Sequence, residues 1–109
     1  YALVIGNGAY PEGSAFGPLS NPVNDANDMG ALLQQYGFRL VNAQGENASV
    51  LNGTKRDMEE AIQKLLEAIG EDTGSEVVVY FSGHGLYLHD VNQPSESAQY
   101  LVPVEQKFK

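Results

Sequence analysis

At 109 residues the chain is about one small domain, able to bury a modest core and close to the size at which folds become marginal. Asp and Glu number 14 against 6 Lys and Arg, a net charge of −8. That argues against a nucleic-acid partner, which needs a basic patch, and is compatible with cationic substrates. The absence of cysteine excludes a disulfide framework and a thiolate metal site.

No apolar run approaches the length of a membrane span and no signal peptide is visible, so no membrane partner and a cytoplasmic location are expected. Asn47-Ala48-Ser49 and Asn52-Gly53-Thr54 match the glycosylation sequon; without a secretory signal both read as chance. The chain begins at Tyr1 inside one apolar run and ends at Lys109 just after another, so both ends are expected to continue into something longer.

Tyr1 to Ile5 reads as a first buried strand, closed by Gly6-Asn7-Gly8. Residues 9 to 21 carry Pro11, Gly13, Gly17, Pro18 and Ser20 and read as a loop. A strand followed by Gly6-Asn7-Gly8 invites a dinucleotide-binding reading. It fits poorly, because Pro11 stands where the third glycine belongs and the helix begins too late. Asn21-Pro22 is a helix start, a side-chain cap followed by proline in the first helical position. Met29, Leu32, Leu33 and Tyr36 recur at helical spacing, and Gly37 is the expected stop. Asn24, Asp25 and Asp28 lie in the first two turns, where the helix dipole favours acids. Taken alone, Asp25 is a solvated acid complementing that dipole.

Phe38 to Asn42 has the alternation of a second strand, and residues 43 to 53 read as a polar loop. Thr54 caps the next helix, with Asp57 in the reciprocal place of a capping box. Met58, Ala61, Ile62, Leu65, Leu66 and Ile69 draw an apolar stripe expected to be core. Gly70 ends that helix. Glu76 to Phe81 is a short apolar, β-branched and aromatic run, expected as a buried strand of a parallel sheet. It stops at Ser82-Gly83-His84-Gly85. Residues 86 to 98 read as a mobile surface loop, and Gln99 to Val104 as a last short strand, with Pro103 suggesting an edge or terminal position.

Strand, helix, strand, helix, strand is the order of an α/β domain with a mostly parallel sheet and helices on both faces. Chemistry in such sheets gathers at the carboxyl ends of the strands. His84, held between two glycines just past a buried strand, stands at that rim, and the Asn24/Asp25 turn is able to share it. The plainer reading of His84 is a hydrogen-bonded turn residue. A metal site from His84, His89 and Asp90 has an unusual ligand spacing. A calcium site from Asp90 and Glu96 lacks the spacing of a dedicated loop. No metal and no cofactor is therefore expected. Tyr10, Tyr36, Tyr80, Tyr87 and Tyr100 read as packing and loop anchors.

Five ordered segments carry a resemblance: Ala2-Leu-Val-Ile-Gly-Asn7, Leu19-Ser-Asn-Pro-Val-Asn-Asp-Ala26, Leu33-Gln-Gln-Tyr-Gly-Phe38, Val79-Tyr-Phe-Ser-Gly-His-Gly85 and Tyr100-Leu-Val-Pro-Val104. Together they resemble the caspase-like cysteine peptidases, closest to the bacterial paracaspase and metacaspase branch. The resemblance implies a three-layer α/β sandwich of which residues 1 to 109 are the N-terminal, large-subunit part of one catalytic domain. It implies a Cys-His dyad in which His84 exchanges the proton and the Gly85 N–H is an oxyanion donor. It implies Asp25 at the base of the first specificity pocket, with Asn24 beside it, and cleavage after Arg or Lys. A carboxylate and a guanidinium form strong two-pronged bonds.

The departure is the missing nucleophile. The caspase cysteine follows its histidine by roughly 50 residues, a distance that runs past Lys109. The expected partners are therefore a peptide with a basic residue before the cleaved bond and the remaining part of the catalytic domain. That remainder would be a second chain or a continuation of this one. The alternative is a non-catalytic caspase-fold module that binds or regulates.

Overall fold

In the computed structural model the chain is described except at residues 15, 73, 91, 92 and 106–109, and the side chains of residues 87–90 and 93–99 also lie outside the description. The organising strand is β1 (Ala2–Gly6), buried along its whole length. It pairs in parallel with β2 (Val50–Leu51) on one side and β3 (Val78–Ser82) on the other, giving the order β2-β1-β3. Helix α1 (Pro22–Gln35) covers one face and helix α2 (Lys55–Ile69) the other. Alternation along β1 decides which residue meets which helix. Ala2 and Val4 pack with Ala26, Leu33 and Leu40 on the α1 side. Leu3 and Ile5 pack with Met58, Ala61 and Leu65 on the α2 side. The expected parallel α/β layering is therefore what forms.

The helices end as their residues dictate. Around Gly37, at φ 88°, Gly37 N–H donates to Gln34 O and Phe38 N–H to Leu33 O, the paired bonds of a Schellman stop. Thr54 and Asp57 form the reciprocal capping box, at 3.1 Å and 3.0 Å. The start of α1 differs from expectation. Asn21 is itself helical in its backbone and its side chain makes no capping bond, so Pro22 is what marks the start.

Five other expectations are corrected. Phe38 to Asn42 is not a strand but a single bridge, Leu40 to Ala2. The Asn42 carboxamide takes the N–H groups of Gln44 and Glu46, and Asn47 Oδ1 takes that of Leu40 at 2.7 Å. The bonds to Asn42 fold the chain into a turn directly after Val41, which ends the pairing with β1. Val50–Leu51, inside the expected loop, rejoins β1 instead. The stretch expected as a surface loop after Gly85 is a hairpin, β4 (Gly85–Asp90) with β5 (Gln93–Leu101), and it forms a separate antiparallel sheet. The last apolar run therefore belongs to that hairpin rather than to the main sheet. Finally, Ile62 and Leu66 are not core: they stay 45% and 58% exposed on the flank of α2.

Candidate functional site

The end of β3 is where three loops converge. Gly6 lets α1 sit against the end of β1, since a Cβ there would lie 2.6 Å from the Ala26 methyl and against the Pro22 carbonyl. The glycines read as a possible nucleotide motif thus serve close packing: a Cβ on Gly8 would likewise meet the Leu19 carbonyl. Past Ser82, Gly83 passes so near its neighbours that a Cβ would stand 2.8 Å from the Tyr10 hydroxyl and 2.9 Å from the Phe81 ring.

His84 follows, half-buried, with its ring among aromatic side chains. Tyr10 meets it edge-on at 4.8 Å between centroids, and Phe16 lies tilted at 5.6 Å. Its Nε2 is 2.8 Å from the Gly17 carbonyl oxygen. A carbonyl only accepts, so Nε2 carries a proton, and in the neutral ring the lone pair is on Nδ1. The backbone of His84 is held as firmly as its ring. Its N–H donates to the Tyr10 hydroxyl at 3.1 Å, and its carbonyl accepts from Val102 N–H at 3.0 Å.

Gly85 begins β4 opposite Leu101. Because the neighbouring His84 and Val102 share the bonded position, antiparallel alternation aims the Gly85 N–H away from β5. It is an exposed residue. An amide so placed is free to meet an oxyanion.

Beside this turn lies a cleft of about 320 Å³, lined by Pro18, Ser20, Asn21, Asp25, Ser82 and Gly83 among others. Ser82 Oγ donates to Asp25 Oδ2 across it, a long bond at 3.4 Å. Asp25 thus shares one cleft with Ser82 and Gly83, whereas His84, expected to share a rim with the Asn24/Asp25 turn, is not among the residues lining it. Asn24 is exposed and is not among the residues lining it. Three participants escaped the sequence reading. The Gly17 carbonyl and the Tyr10 hydroxyl left no signal beyond a loop and an aromatic. Ser82 stood inside the quoted motif without a role. Among the described residues no group of three His, Cys, Asp or Glu gathers for a metal; the side chains of His89, Asp90 and Glu96 lie outside the description. No helix among the described residues is long and apolar enough to cross a membrane.

The architecture defines a three-layer α/β domain with a histidine at the carboxyl end of a parallel strand. The whole of it, residues 1–109, matches the caspase domain, and the chain belongs to that family. Its fold is that of a cysteine peptidase. No curated relative and no solved structure matches the chain.

Proposed function

We propose that residues 1–109 are the histidine-bearing, N-terminal part of a caspase-fold cysteine endopeptidase that cleaves after Arg or Lys. The observation that carries this is the state of His84. Its Nε2 proton is held by Gly17, so Nδ1 is the basic nitrogen, at the rim where a neighbouring strand can bring a thiol. Nδ1 takes the proton of that thiol, and the thiolate adds to the scissile carbonyl. The resulting imidazolium keeps its Nε2–H on the Gly17 oxygen. The Gly85 N–H meets the oxyanion, a contact of a kind worth roughly 3 kcal/mol of barrier. The proton on Nδ1 then passes to the leaving amine as the tetrahedral adduct collapses to the thioester. Water hydrolyses the thioester with the same imidazole as base. Asp25, at the adjacent cleft, supplies the anionic contact for a guanidinium or ammonium. Asn24, one residue away and exposed, is left to contact substrate only outside the cleft.

The chain contains no cysteine, so the reading requires the rest of the catalytic domain as partner. Its natural seat is beside β3. Among the described residues β3 has a strand partner on one side only. Val79, on the same face as Leu3 and so on the α2 side of the sheet, is 60% exposed. A strand added there would end beside His84. The reading calls for no cofactor, no nucleic acid and no membrane, and places the enzyme in the cytoplasm.

The test is His84→Ala in the full-length protein against an Arg reporter peptide. Turnover should fall by roughly 10²–10⁴-fold; undiminished turnover removes the histidine from the mechanism. The absent cysteine favours one second reading, a caspase-fold module that binds without cutting. Inertness of the full-length protein to thiol-directed probes, with partner binding retained, would select it.

A further inference from the structure

The base of the hairpin lacks one ladder hydrogen bond, and a tyrosine occupies its place. One step beyond the Gly85 and Leu101 pair, His84 and Val102 face each other. Val102 N–H donates directly to the His84 carbonyl at 3.0 Å. In a regular antiparallel pair the reciprocal bond would run from His84 N–H to the Val102 carbonyl. Here His84 N–H donates to the Tyr10 hydroxyl at 3.1 Å, and that hydroxyl donates to the Val102 carbonyl at 2.8 Å. The phenol is inserted into the ladder.

We propose that Tyr10 is a positioning residue for the His84 imidazole, its inserted hydroxyl holding the histidine's backbone off the hairpin so that the ring meets Gly17. The proposal rests on the reading of His84 as the base. Several features place the effect on the ring rather than on packing alone. A single side chain reaches both the backbone N–H and the ring of the same residue, the latter edge-on at 4.8 Å. Tyr10 is 2% exposed, so its hydroxyl has no water to compete for these partners. The close pass of Gly83 under that hydroxyl leaves room for no side chain there. A direct N–H···O bond, about 2.9 Å long, would draw His84 toward Val102 once the hydroxyl is gone. The ring would move with it, away from an acceptor that needs alignment as well as distance. Since Gly17 selects the tautomer, its loss allows the proton to settle on Nδ1, the nitrogen that must be free to accept one.

The experiment compares wild type, Tyr10→Phe and His84→Ala in the full-length protein. Arg-reporter kinetics are measured together with the ¹⁵N spectrum of the imidazoles. Phenylalanine keeps the ring and removes only the hydroxyl. In Tyr10→Phe the expected result is a fall in kcat of about tenfold with KM within about twofold, as for a small misplacement of a reacting group. The His84 signal should change from the Nε2-protonated form to a mixture. An unchanged His84 tautomer in Tyr10→Phe overturns the proposal, whatever happens to stability or rate. Should that variant fail to fold, the wild-type spectrum decides: Nε2-protonated with a slowly exchanging His84 amide supports it, and Nδ1-protonated overturns it. If His84→Ala keeps its activity, the base assignment fails and this proposal with it. If His84→Ala is inactive and Tyr10→Phe behaves as wild type, only Tyr10 is excluded.

Discussion

The Nε2 of His84 and the carbonyl of Gly17 lie 2.8 Å apart, across 67 residues of chain. A loop that precedes the first helix therefore decides which nitrogen of a histidine just past β3 carries the proton in the neutral ring. Pro18 follows Gly17 at once and disfavours a helical backbone there. The contact is made by a backbone carbonyl rather than by a side chain able to swing away.

Asp25 and Ser82 meet across the cleft, and their consequences for selectivity differ. Asp25→Asn keeps the shape and removes the charge. It should lower kcat/KM on an Arg reporter by roughly thirtyfold, the equivalent of about 2 kcal/mol for a charged hydrogen bond. Folding stability should barely change, since the residue is exposed. Ser82→Ala should cost far less, because its bond to Asp25 is long at 3.4 Å. Equal kcat/KM values for wild type and Asp25→Asn on Arg and on a neutral analogue would exclude the carboxylate from substrate selection.

Asn7 is fully buried and joins three distant segments. Its Oδ1 accepts from Gly53 N–H at 2.8 Å, and its Nδ2 donates to the Val102 carbonyl at 3.3 Å. Asn7→Leu leaves the Gly53 amide buried and unpaired. A loss of roughly 3 kcal/mol is expected in urea unfolding. A loss under about 1 kcal/mol would mean that the segment around Gly53 relaxes to water.

Leu66 tests whether the exposed flank of α2 is covered when the domain is complete. Buried by the proposed remainder, Leu66→Lys should destabilise the full-length protein by roughly 2 kcal/mol or more. A change within about 0.5 kcal/mol, usual for surface substitutions, would show that the flank stays in water.

Burial raises the pKa of Tyr10 above its ordinary value of 10.0, against the smaller opposing effects of its bonds to the His84 amide and the Asn7 side chain. The sign follows from proton counts. Above a pH of about 10 the unfolded chain has lost this proton while the folded chain keeps it. The stabilisation is therefore complete below that pH and is lost as pH rises through the folded value. Urea midpoints measured into the alkaline range should fall more steeply in wild type than in Tyr10→Phe. Identical alkaline slopes would show that Tyr10 does not titrate with folding.

Much of this domain was written along the chain. Local rules suffice for β1, for the Schellman stop at Gly37 and for the Thr54 to Asp57 box, because each depends on neighbours within a few residues. The position of His84 just past an apolar strand was legible for the same reason, although that strand, expected to be buried, is only partly so, with Val79 60% exposed. The errors share a cause. Asn42 bonds the amides of Gln44 and Glu46 in a turn, and the expected strand before it is only one bridge long. The segment rich in turn formers after Gly85 pairs through its backbone, to which side-chain composition is a poor guide. Helical periodicity marked Ile62 and Leu66 as apolar, but only the packing tells that they stay exposed.

By itself the sequence determined β1, β3, both helices, the stops and caps at Gly37 and Thr54, and the family to which the chain belongs, because hydrophobic period and cap chemistry act locally. Tertiary structure alone decided that Gly17 holds the His84 proton, that Tyr10 enters the ladder beneath it, and that Asp25 shares a cleft with Ser82. Those contacts join residues far apart in the chain through backbone carbonyls and a hydroxyl. No residue pattern encodes where such groups point until the sheet has brought the loops together.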